Sequence, residues 1–93
     1  MAAIIEVEKK SATEFQVTVR EGASHSSHTV SVRADTYRKL TGGNVPAEEL
    51  VRRSFEFLLE REAKESILSR FDLPLIGRYF PEYEKEIRKR LGV

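Results

Sequence analysis

The sequence predicts an α+β fold: a three-stranded antiparallel sheet at the N-terminal end, a central helix packed on it, and a helical C-terminal segment. Two observations carry this expectation. Apolar residues recur at every second position up to about residue 34 and at helical spacing beyond it. The connections between the alternating stretches are short, which favours a meander of neighbouring strands. The chain has 93 residues, a length that suits one domain spanning 1–93 with a modest core.

Each strand has one apolar and one polar face. Ile5 and Val7 alternate with Glu6 and Glu8, and Phe15, Val17 and Val19 alternate with Glu14, Gln16, Thr18 and Arg20. Val30 and Val32 alternate with Thr29, Ser31 and Arg33. β-branched and aromatic residues on one side only suit an antiparallel sheet covered on one face. Residues 9–12 form a short turn, and the serine- and histidine-rich stretch 22–27 reads as a longer, looser one.

A short helix is expected from residue 34, with Asp35 as its N-cap, Tyr37 and Leu40 on one face, and Gly42 and Gly43 ending it. Pro46 opens the main helix, where its fixed φ suits the first turn, and Glu48 and Glu49 follow at the positive end of the dipole. Leu50, Val51, Phe55, Leu58 and Leu59 form its apolar stripe, widened by Phe57. Glu60–Lys64 and Arg61–Glu65 are favourable pairs four apart, which would carry the helix to about residue 65. A further helical turn or two is expected over 66–71, with Ile67, Leu68 and Phe71, before Asp72, Leu73 and Pro74 break it. Pro81 introduces the last helix, lined on one side by Tyr83, Ile87 and Leu91 and closed by Gly92.

Composition narrows the function classes. Lys plus Arg is 16 against Asp plus Glu 15, a net charge of +1, so no overall positive field marks a dedicated nucleic-acid binder. There is no cysteine, which removes disulfides, thiolate catalysis and Cys-based zinc sites. The N-terminal residues lack the basic and apolar regions of a secretory signal, and no apolar run approaches the roughly 20 residues of a membrane span. A soluble, cytoplasmic protein without membrane contact is the expectation.

Few residues invite chemistry. His25 and His28 lie three apart, but two histidines make an incomplete zinc site, so no metal is expected there. No serine sits in a Gly-x-Ser-x-Gly turn. Thr41, Gly42, Gly43 and Asn44 lack the Lys-Ser/Thr ending of a phosphate-binding loop and precede Glu48 and Glu49, so they read as a helix–helix turn. With no catalytic set and no cofactor motif, a non-enzymatic interaction module is expected, acting on a protein partner or on itself.

Residues 71–80 are the densest apolar and aromatic stretch outside the main helix. Phe71 and Ile76 are expected inside. Arg78, Tyr79, Phe80 and Tyr83 are the candidate docking residues, with the three aromatics partly exposed, because aromatic residues and Arg are favoured at interface centres.

One stretch supports an alternative. The strand His28, Thr29, Val30, Ser31, Val32, Arg33, followed by Tyr37 and Leu40 and then by the helix from Pro46 to Arg61, resembles a ribbon-helix-helix unit. That family comprises bacterial repressors and antitoxins. The resemblance implies a dimer formed by pairing one strand from each subunit, with the ribbon reading the major groove. Thr29, Ser31 and Arg33 would then be the base-contacting residues, and nucleic acid the partner. The pairing of strand 28–33, within one chain or across a two-fold axis, separates the two readings.

Overall fold

The computed structural model describes residues 3–93. The alternating segments form β1 (Ile4–Lys9), β2 (Glu14–Glu21) and β3 (Ser24–Ser31), joined as an antiparallel meander. A fourth strand, β4 (Arg70–Asp72), pairs parallel to β3, so the sheet order is β1-β2-β3-β4. The helices are α1 (Ala34–Thr41), α2 (Ala47–Leu59), α3 (Leu75–Tyr79) and α4 (Tyr83–Leu91). No helix among the described residues is long and apolar enough to cross a membrane.

The period-two pattern sets the faces. Ile5, Phe15, Val17, Val19, Val30 and Val32 are buried on one side of the sheet, in one cluster with Val51, Phe55 and Leu58 of α2. Register puts Phe15 opposite Val30 and Ile5 opposite Val19, so cross-strand partners share the covered face. The opposite face carries Glu6, Gln16, Thr18, Thr29, Ser31 and Arg70, none of them buried.

The sheet departs from the expected three strands because 66–71 is not helical. Lys64–Ser66 is a single 3-10 turn and the chain then extends into β4. Three groups on β3 hold it there. The Thr29 amide donates to the Ser69 carbonyl at 2.7 Å, the Ser31 carbonyl accepts from the Leu73 amide at 2.9 Å, and the His28 ring contacts the Leu68 carbonyl. With Ile67 and Phe71 buried four apart and Leu68 exposed, spacing alone mimics a helix where the tertiary ladder imposes a strand.

Three other expectations are corrected. The loop at 22–27 shrinks to a two-residue turn, Gly22 and Ala23, because Ser24–Ser31 is all strand. Gly22 sits at φ +62°, the left-handed conformation that a tight hairpin needs. α2 stops at Leu59, not near 65, since Glu60 and Arg61 turn toward α4. Glu60 accepts from Arg90 at 2.5 Å and Arg61 donates to Glu82 at 3.1 Å. Asp35 is not the N-cap of α1, which is Arg33; its carboxylate accepts from the Thr36 amide inside the first turn.

α4 closes the structure over the end of α2. Tyr83 and Ile87 are buried, with the Tyr83 and Phe57 ring centroids 5.3 Å apart and steeply inclined, a favourable edge-to-face contact. The Arg61 guanidinium lies 3.6 Å above the Phe57 ring.

Candidate functional site

Two residues of α3 decide where the surface becomes unusual. In so short a helix, residues four apart share a face. Ile76 and Phe80 turn inward, Ile76 being buried and Phe80 lying 5.9 Å from the Phe57 ring. Leu75 and Tyr79 form the opposite ridge, and Tyr79 is 66 % exposed.

Beside this ridge runs a groove of about 390 Å³. Its floor is Leu58 from α2, Phe71 from β4 and Ile76, and its walls are Leu68, Leu75 and Tyr79. Leu68 is 48 % exposed, so two large apolar side chains stand in water on this surface. Glu62 and Ser66 are the polar groups of the margin. Ligand sites for small polar molecules converge several polar groups on one point; this groove does not.

The expected docking residues separate here. Arg78 and Tyr79 are exposed and Phe80 is half-buried. Tyr83 is 2 % exposed, which corrects its expected place on the surface. Its hydroxyl donates to Ser54 Oγ at 2.6 Å, and Ser54 donates in turn to the Leu50 carbonyl at 2.7 Å. Burial pushes the Tyr83 phenol well above its ordinary range, with the Ser54 bond acting weakly the other way. Leu58, Ile67 and Leu68 were not marked as site residues in the sequence, because a helical reading of 66–71 left no reason to separate Leu68 from its buried neighbours.

Charges around the groove are mostly neutralised within the chain. Lys64 is buried against Glu65 at 2.5 Å and Glu21 at 3.4 Å, and the bond to Glu65 raises its pKa despite the opposing effect of burial. Glu82 is held below the usual carboxylate range by a backbone amide and by Arg61. Glu62 and Arg78 differ from these: neither has an ion pair among the described residues.

The residues of the DNA-binding alternative lie elsewhere. Thr29 donates to Gln16 Oε1 at 3.2 Å, the Ser31 hydroxyl donates to Asp72, and Arg33 is 3.7 Å from the same carboxylate group. β3 pairs with β2 along its whole length and with β4 of its own chain at Thr29–Ser31, so both edges are used where Thr29 and Ser31 lie.

The two histidines occupy opposite faces of β3. His25 is exposed, and His28 is 2 % exposed against Phe55, ring centroids 5.3 Å apart. His28 Nδ1 donates to the Leu68 carbonyl at 2.8 Å, since a carbonyl only accepts; in the neutral ring Nε2 then accepts from the Ser26 hydroxyl, also 2.8 Å away. A hydroxyl aimed at an imidazole is the arrangement of a nucleophile and its base, but this ring is covered, and Ser26 does not line the groove. The contact fastens β3 to the segment ahead of β4. No cluster of three or more metal-ligating His, Asp or Glu side chains occurs among the described residues.

Comparison with protein-family models, with curated proteins and with solved structures returns no match for this chain.

Proposed function

We propose that this chain is a non-enzymatic interaction module that receives an apolar protein segment in the groove between the end of α2 and α3. The observation that carries this reading is the pair of exposed walls, Leu68 and Tyr79, over a floor of core residues. Exposed apolar side chains gathered around one recess mark a contact surface more readily than ones scattered singly. Aromatic side chains beside an arginine, here Tyr79 next to Arg78, are the composition that anchors protein interfaces. The polar margin is thin, which suits a side-chain anchor better than a polar metabolite.

A displayed library of short peptides, selected on the intact protein, tests the reading. Enriched sequences should share bulky apolar anchors, and Tyr79→Ser and Leu68→Ser should each abolish their binding while the protein stays folded. No enrichment, or binding indifferent to both changes, would contradict it.

The alternative is a DNA-binding regulator of ribbon-helix-helix type acting through Thr29, Ser31 and Arg33. Binding of that kind falls steeply with salt as counterions are released. A salt-dependent, sequence-specific gel shift lost in Arg33→Ala would favour it over the groove.

A further inference from the structure

We infer that the occupant of the groove is the same surface of a second copy of this chain, packed across a two-fold axis with Tyr79 of each copy seated in the groove of the other. The inference rests on the docking reading and names its partner. An isologous contact requires a patch that complements itself, with a projection and a recess side by side. This surface has both: Tyr79, two-thirds exposed, stands at the lip of the recess floored by Leu58 and Phe71.

Charge points to the same arrangement. Glu62 borders the recess, and Arg78, next in sequence to the projection, lies on the far side of the Leu75 ridge in a cleft it shares with Asp35 and Asp72. Neither Glu62 nor Arg78 has an ion pair among the described residues. When Tyr79 of one copy enters the recess of the other, its neighbour Arg78 arrives beside the partner's unpaired carboxylate, and the two-fold axis repeats the pair. Opposite charges placed so steer association and select the register.

Of the two edge strands of the sheet, β4 offers three residues and β1 six, and the longer edge is guarded. The Arg52 side chain donates to the Ile5 carbonyl, and Glu6, Glu8 and Lys9 crowd the strand with charge. Such features discourage edge-to-edge pairing.

Sedimentation equilibrium on the full chain tests the proposal. The wild type should dimerise reversibly, and Tyr79→Ala should be monomeric with an unchanged circular dichroism spectrum. Glu62→Arg and Arg78→Glu should each weaken dimerisation about tenfold. The double variant should recover to within about threefold, and an equimolar mixture of the two single variants should form heterodimers. Neither reversal removes an ion pair within the chain, and an unchanged circular dichroism spectrum checks that each variant folds. A monomeric wild type that still binds selected peptides through Tyr79 would overturn the self-pairing and leave the docking reading standing. A dimer indifferent to all these changes would overturn the proposal by placing the contact elsewhere.

Discussion

The Tyr83 hydroxyl lies 2.6 Å from Ser54 Oγ, inside the core, and the bond runs in one direction. Ser54 has given its own proton to the Leu50 carbonyl, so the phenol must donate and the serine accept. This ties α4 to the middle of α2 and fixes which partner depends on the other.

Deleting the two ends of that bond should therefore have unequal effects. Tyr83→Phe leaves Ser54 bonded to Leu50 and should cost about 1 kcal/mol. Ser54→Ala strands a buried phenolic donor and should cost about 1–3 kcal/mol. Urea unfolding of both variants checks the order, and a greater loss for Tyr83→Phe would contradict the assigned direction.

His28 should matter to one edge of the sheet in particular. His28→Ala removes two hydrogen bonds and the ring packed on Phe55, and should cost about 2–4 kcal/mol. Hydrogen exchange should rise first at the Thr29 and Leu73 amides, which bind Ser69 and Ser31 across the β3–β4 junction. Uniform exchange across β1 and β2 would show that the histidine does not anchor β4.

Phe55 of α2 is fully buried, in contact range of both His28 on the sheet and Phe71 on β4. Phe55→Ala should cost about 3–5 kcal/mol, the usual range for truncating a buried Phe. A loss below about 1 kcal/mol would mean that α2 is not the centre of the core.

Glu60 predicts an acid limb. Its carboxylate is held below the usual range chiefly by the hydrogen bond from Arg90, with Arg61 adding to it. A carboxyl whose folded pKa is depressed stabilises the fold above its unfolded pKa, and that contribution is lost as pH falls through the folded value. Melting temperatures of wild type and Glu60→Gln should differ at neutral pH and converge below about pH 4. The group is half exposed, so the difference should stay under about 1 kcal/mol. A gap that persists at acid pH would assign the effect of the substitution to packing instead.

The parts of this fold that were legible in the sequence are those where periodicity and local chemistry agree. Phe15, Val17 and Val19 announce β2 by alternation, and Pro46 with Glu48 and Glu49 announces α2. β4 was hidden because it has three residues and one inward side chain, Phe71, too few to show a period. It exists through bonds made forty residues away on β3. The start of β3 was hidden for a related reason: Ser24, Ser26 and Ser27 carry no apolar signal, and the ladder to β2 alone makes them strand. At the candidate site, the dense apolar stretch over 71–80 supplies Phe71, Leu75, Ile76, Tyr79 and Phe80 to the lining of the groove. The sorting of its aromatics depended on contacts with α2. Tyr83 goes inside because Ser54, a small hydroxyl within an apolar stripe, leaves room for the ring and satisfies its polar end. Tyr79 stays outside because Leu75, and nothing beyond it, shares its face.

The central claim is that this groove is where the chain meets a second copy of itself. Amide nitrogen–proton NMR spectra recorded across a dilution series test it most directly. The account predicts concentration-dependent shifts confined to the groove, at Glu62, Leu68, Leu75, Arg78 and Tyr79, with β1 and the polar face of the sheet unchanged. Shifts that cluster along Ile4–Lys9, or spectra that do not change over the series, would contradict it.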